Sequence, residues 1–276
     1  MAARSLPSRR AIRLIGLPTD QHSSFLRGAA EGPAAIRRAL RSDHSNMAAE
    51  NGLEIGHDVL LLDAGDLPLD GSWGDVERIS AAVAAAARAG EVPLCLGGDH
   101  MVSFPAVAGV AEVHGPVDIL HFDAHPDLYD DFAGDPLSHA SPFARIMERG
   151  LARRLVQVGV RTLNAHCQEQ AERFGVEIIE MRHFAPDGVP IPEGPLYISI
   201  DLDGLDPSCA PGVSHNEPGG MMTRELLRVL QRIEAPIVGA DIVELNPSRD
   251  IHDMTATLAA KLVKEVAALA ARENRT

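Results

Sequence analysis

Five short stretches, residues 11–17, 93–96, 118–122, 196–200 and 237–242, are apolar at almost every position instead of alternating. A strand with one face in water alternates, so unbroken apolar runs of this length need cover on both faces. Between them lie helical segments at 32–42, 76–89, 104–113, 143–149, 168–174, 224–233 and 255–271, with further short strands at 59–63, 155–160 and 177–179. Such alternation predicts an α/β fold, a mostly parallel sheet with helices on both faces. No repeat, linker or composition break divides the chain. Residues 11–276 are therefore expected to form a single domain, after a disordered tail at residues 1–10.

Composition narrows the function classes. No stretch reaches the roughly 18 continuous apolar residues of a membrane span, so no membrane partner is expected. A formal net charge of −14 disfavours nucleic acid, whose phosphates call for a basic face, and favours a small cationic partner. Cys95, Cys167 and Cys209 are odd in number, widely spaced and outside any C-x-x-C pattern. They suit a reducing compartment, and a cytoplasmic location is expected. The basic start, MAARSLPSRRAIRLIG, has the composition of a short targeting peptide, but with so little chain before the first strand a frayed tail is expected instead.

The chemistry sits where the apolar runs end. Gly97-Gly98-Asp99-His100 follows one run, Asp123, His125 and Asp127 follow the next, Asp201 and Asp203 a third, and Glu244 the last. Ligands of α/β sheets bind at the carboxyl ends of strands. If the strands before His100, Asp123 and Asp201 are neighbours, six donors meet: His100, Asp123, His125, Asp127, Asp201 and Asp203. On an extended chain, the i, i+2, i+4 spacing of Asp123, His125 and Asp127 puts them on one face. Four carboxylates and two imidazoles exceed the needs of one tetrahedral zinc. They suit two hard or borderline divalent ions such as Mn²⁺, sharing carboxylates and lowering the pKa of a water between them. Each motif alone fits a capped turn equally well; three strand ends carrying these residue types together do not.

Those motifs, LGGDH (96–100), DAHPD (123–127), SIDLDGLDP (199–207) and VELNP (243–247), resemble the signatures of the ureohydrolases, the arginase and agmatinase family. The stretches 22–28, 117–161, 197–220 and 238–265 are most similar to plant-type arginases. The resemblance implies a three-layer αβα sandwich, two Mn²⁺ ions per subunit (with Co²⁺ or Ni²⁺ as alternatives) and hydrolysis of a guanidinium group by a hydroxide bridging the ions. His100, Asp123, Asp127 and Asp201 would hold one ion, and Asp123, His125, Asp201 and Asp203 the other. Asp127 would also accept a hydrogen bond from the hydroxide. His139 would be the acid or proton shuttle and Glu244 the partner of the guanidinium. A homo-oligomer, trimer or hexamer, is also implied.

Of the remaining candidates, His121 is expected in the core or behind the ligands. Asp99 and Asp206 would either orient ligands or cap turns. His215, Glu217 and Asn164 are placed at the mouth. The resemblance favours L-arginine, cleaved to urea and L-ornithine. Agmatine, guanidinobutyrate and guanidine remain open, because the loop at 128–138, LYDDFAGDPLS, lacks the Asn, Thr and Ser run of animal arginases. A deacetylase-like metal hydrolase and a non-catalytic metal-binding protein are the rivals outside the family.

Overall fold

A computed structural model describes residues 10–43 and 45–272; apart from Arg10, the expected tail at residues 1–10 lies outside the described residues. Strands β1 (Ile12–Leu17), β2 (Leu61–Asp66), β3 (Val92–Gly97), β4 (Val117–Phe122), β5 (Ala152–Val160), β6 (Glu177–Glu180), β7 (Leu196–Asp201) and β8 (Ile237–Val243) form one sheet in the order β2-β1-β3-β8-β7-β4-β5-β6. Every neighbouring pair is parallel. Of the five non-alternating apolar runs, those in β3, β4, β7 and β8 are buried at every position, while β1 has Arg13 half-buried. By contrast β2 lies at the sheet edge and is largely exposed or half-buried.

Alternate residues of each buried strand feed two cores. In β4, Leu120 and Phe122 pack on one face and Val117 and Ile119 on the other. The first core is closed by α1 (Gly32–Leu40), α6 (Thr223–Gln231) and α7 (Met254–Ala270), the second by α2 (Gly74–Arg88), α3 (Ser103–His114), α4 (Pro142–Glu148) and α5 (Ala165–Phe174). The result is the αβα sandwich. Burying each Leu or Val side chain of α7, such as Leu262, Val263 and Val266, contributes roughly 1.5–3 kcal/mol. Among the described residues no helix is long and apolar enough to cross a membrane.

Two local features depart from the sequence expectation. The strands before His100 and Asp201 are not neighbours, since β8 is inserted between β3 and β7. Also, β4 stops at Phe122, so Asp123, His125 and Asp127 lie in an irregular loop and not on one face of a strand. Asp127 has φ +50°, which strand geometry excludes. Their convergence comes from the loop's turn.

Candidate metal centre

The carboxyl ends of β3, β4, β7 and β8 supply the site. Asp201 ends β7, and the single 3-10 turns Leu202–Gly204 and His100–Val102 carry Asp203 and His100. Close backbone approach makes this crowding possible. A Cβ on Gly98 would lie 1.8 Å from Thr19 O, and one on Gly204 2.8 Å from Asp123 N. Glycine at these two positions lets the loops meet. Asp203 N donates to Asp201 Oδ1 (2.8 Å), Ala124 N to Asp203 Oδ1 (3.2 Å) and His125 N to Asp123 Oδ1 (2.6 Å), so each carboxylate is aimed by a neighbouring amide.

Two donor groups share Asp123. His100 Nδ1 lies 3.2 Å from Asp123 Oδ2, 3.0 Å from Asp127 Oδ2 and 3.1 Å from Asp201 Oδ2. The other oxygen of Asp123, Oδ1, is 3.3 Å from His125 Nδ1, which is 3.2 Å from Asp203 Oδ2. Although three oxygens surround it, His100 Nδ1 is buried with no hydrogen-bond partner, because none lies along the ring N–H direction. Neighbouring ligands of a six-coordinate divalent ion with bonds of about 2.1 Å stand about 3 Å apart. The donors have this spacing, and oxygen with imidazole suits such ions. The residues present fit a pair of divalent cations.

The charges point the same way. Burial and the neighbouring Asp203 and Asp123 push the Asp201 carboxyl well above its usual range. For Asp203, burial and Asp123 outweigh the pull of His125 and push it up to about 6. Burial opposes charge on His100, but Asp123, Asp127 and Asp201 outweigh it and raise its proton affinity well above normal. Asp123 is the exception: burial pushes it up, yet contacts with His100, His121 and His125 hold it well below its usual range. Excess buried negative charge is thus balanced by protons when no cation is present. Mn²⁺ added to the metal-free protein in weak buffer at pH 7 is expected to release protons, and binding should weaken as pH falls, more steeply below about pH 6 where Asp203 protonates as well. Binding without proton release, read with an indicator dye, would contradict this charge balance.

Glu244 and His139 form a second, adjoining unit. Glu244 Oε1 accepts from His100 N (3.0 Å) and pairs with His139 Nδ1 (2.8 Å), while its Oε2 is buried without a partner. His139 Nε2 meets Ser24 Oγ at 2.8 Å and Ser24 N at 3.2 Å. Burial disfavours the His139 cation, but Glu244, with Asp127 and Asp99, outweighs burial and pushes its pKa up to about 9. In return His139 overcomes burial to hold Glu244 below its usual range. Glu244 has φ +66°, a strain of about 1–3 kcal/mol for a residue other than glycine. Its amide is anchored on Gly98 O at 2.8 Å.

A cavity of about 340 Å³ opens beside these groups, lined among others by Ser24, His125, Asp127, His139, Asn164 and His215, while Glu244 lies buried against His139 and is not among the lining residues. The structure thus brings His100, Asp123, His125, Asp127, Asp201 and Asp203 together, with His139 and Glu244 alongside. Other candidates fall elsewhere. Glu217 is not among the lining residues, and its carbonyl is held by Arg161. Asp206 binds the amides of Ser208, Gly219 and Gly220, so it caps a turn. Asn164 reaches the cavity, but its amide is committed to capping α5 through Cys167 N (2.9 Å) and to Tyr129 OH (2.5 Å). Asp99 accepts from His22 N (2.9 Å), and burial beside Glu244 pushes it up to about 7. His121 lies behind the ligands, with Nε2 2.9 Å from Asp123 Oδ2. Sequence reasoning missed Ser24 as a neighbour of His139; the stretch 22–28 gave no chemical signal beyond its resemblance.

Residues 10–268 match the arginase family model. Arginase 1, mitochondrial, of Arabidopsis thaliana is 48% identical over 272 residues, covering 92% of this chain and 80% of the relative. Arginase, mitochondrial, of Medicago truncatula is 47% identical with the same coverage. A solved structure of arginase from Medicago truncatula superposes with a TM-score of 0.86 at 44% identity, covering 98% of this chain and 90% of that one. The expected cytoplasmic location is overturned by these mitochondrial relatives. Unpaired cysteines argue only against an oxidising compartment, so they never separated cytoplasm from organelle. Likeness of this extent, running through all four strand-end motifs, makes the chain a member of the arginase family.

Proposed function

We propose that the chain hydrolyses the guanidinium group of L-arginine to urea and L-ornithine. The observation that carries this reading is His100 Nδ1, unpartnered and ringed by three carboxylate oxygens, one of them from a residue whose second oxygen faces His125. We infer that His100, Asp123, Asp127 and Asp201 hold one divalent ion and Asp123, His125, Asp201 and Asp203 the other, with Mn²⁺ the ion the oxygen-rich set suits. When bound, the cations supply Lewis-acid charge and a water of lowered pKa.

The chain's own groups do the rest. The free Oε2 of Glu244 accepts an N–H of the planar guanidinium, which offers forked donors to a carboxylate. Asp127, bordering the cavity, accepts a hydrogen from the attacking water. His139, which also borders the cavity and is kept protonated at neutral pH by Glu244, hands a proton to the departing amine.

Urea release by the Mn²⁺-loaded protein tests the reading. L-arginine is expected to give the highest kcat/KM among L-arginine, agmatine, 4-guanidinobutyrate and guanidine. A preference for agmatine would remove arginine as substrate, and no urea from any of them would remove the hydrolase reading.

A further inference from the structure

The ladder register sets Gln157 of β5, His121 of β4, Ser199 of β7 and Asp241 of β8 opposite one another in one row. All four are fully buried. A polar row across the middle of a covered sheet is destabilising unless its groups are paired. Here every polar group but Gln157 Oε1 is paired, and the pairs lead to two of the residues proposed above as ligands, Asp123 and His100.

Donor and acceptor roles follow from both ends of the row. Gln157 Nε2 is 2.6 Å from Pro126 O. The flipped amide would set oxygen against that carbonyl, so the NH₂ faces it and also donates to His121 Nδ1 at 3.0 Å. His121 Nδ1 therefore accepts, its ring proton sits on Nε2, and that proton is donated to Asp123 Oδ2 at 2.9 Å. At the other end, Tyr197 OH (2.7 Å) and Ser199 Oγ (2.6 Å) both donate to Asp241. With its only hydrogen spent, Ser199 Oγ accepts from His100 Nε2 at 3.0 Å. In the neutral ring, that leaves the lone pair of His100 on Nδ1, the atom facing the three carboxylates, where it takes a cation or, in its absence, a proton.

We infer that the row Gln157–His121–Ser199–Asp241 dictates where protons sit around the metal centre. It presents His100 Nδ1 as a ligand and keeps His121 out of the ligand set as a donor to the shared carboxylate. Geometry alone does not make that distinction: a nitrogen of His121 lies within 4.8 Å of donor atoms of His100 and Asp123, a grouping able to hold an ion. The hydrogen on Nε2 excludes it. Phe143, stacked on the His121 ring at 3.9 Å, helps keep the ring in plane. The four residues are positioning residues, and the inference rests on the metal reading above.

The test is calorimetric titration of Mn²⁺ into the metal-free full chain and three variants, with circular dichroism to confirm folding. Gln157→Glu keeps the shape but sets an oxygen against His121 Nδ1, so a proton goes to Nδ1 and the ring either gives up its donor to Asp123 or becomes a cation beside the metal ligands; both outcomes weaken metal binding. Asp241→Asn leaves one oxygen and one NH₂ for Ser199 and Tyr197; with the NH₂ toward Ser199, the serine hydrogen goes to His100 Nε2 and drives the ring proton onto Nδ1. His121→Phe removes the donor while keeping an aromatic ring on Phe143. Folded variants are expected to bind two ions per chain with affinity lowered roughly 10- to 100-fold. Unchanged affinity in folded Gln157→Glu and Asp241→Asn would overturn the inference, and so would a single ion per chain in His121→Phe. If Gln157→Glu or Asp241→Asn does not fold, His121→Phe alone decides by affinity and stoichiometry. A wild-type chain that binds no Mn²⁺ would instead bring down the metal reading itself.

Discussion

Asp123→Asn is expected to lose both metal ions and essentially all urea production. Asp123 is fully buried and turns one oxygen to each donor group, Oδ2 toward His100 and Oδ1 toward His125. The amide has the same shape but no charge, and one end of it becomes a donor facing an imidazole. A single substitution therefore disables two sites at once, where a change at Asp203 or Asp127 is aimed at one. Activity should fall at least about 10³-fold, equivalent to several kcal/mol of lost Lewis-acid stabilisation. Metal analysis of the purified variant checks it: two tightly bound ions with normal turnover would rule out the sharing role of Asp123.

His139→Ala should separate chemistry from metal binding. Its ring touches Glu244 and Ser24 and none of the six proposed ligands at hydrogen-bonding distance, so two ions should remain. Turnover should drop about 10²- to 10⁴-fold, the usual contribution of a positioned acid. The pH profile adds a readout that a packing defect would not mimic. A proton donor with pKa near 9 acts below that value, so wild-type kcat should decline as pH rises through about 9, a limb the variant should lack. Glu244→Gln removes the charge that most raises His139, so in that variant the limb should move to lower pH. An unchanged kcat in His139→Ala would take the residue out of the reaction.

Much of the fold was legible because the strands at the centre announce themselves. Residues 93–96, 118–122, 196–200 and 237–242 cannot alternate when helices cover both faces, and each matches a fully buried strand. Pro33 stands in the first turn of α1, and Gly175, left-handed at φ +67°, follows the end of α5. The six proposed ligands were nominated from the sequence by their joint pattern: each motif alone fits a capped turn, whereas acidic and imidazole side chains after three buried strands together do not. Less was visible of how they converge. The i, i+2, i+4 spacing suggested a strand face, whereas Asp127 takes a left-handed backbone that no residue type at that position advertises.

From residue types alone come the sheet, the two cores, the charge excess at the strand ends and the kinds of donor gathered there. These depend on hydrophobic period and on the short list of side chains able to balance a divalent charge, both of which are local in the chain. Tertiary structure decided the rest. The insertion of β8 between β3 and β7 brings Glu244 beside His100 and His139, from positions more than a hundred residues away. The same insertion sets Asp241 opposite Ser199 and so completes the row that Gln157 and His121 begin on β5 and β4. Proton positions in that row depend on which carbonyl and which hydroxyl lie opposite each group. Such pairings belong to strand order and register, and these are set by long-range contacts that local sequence does not encode.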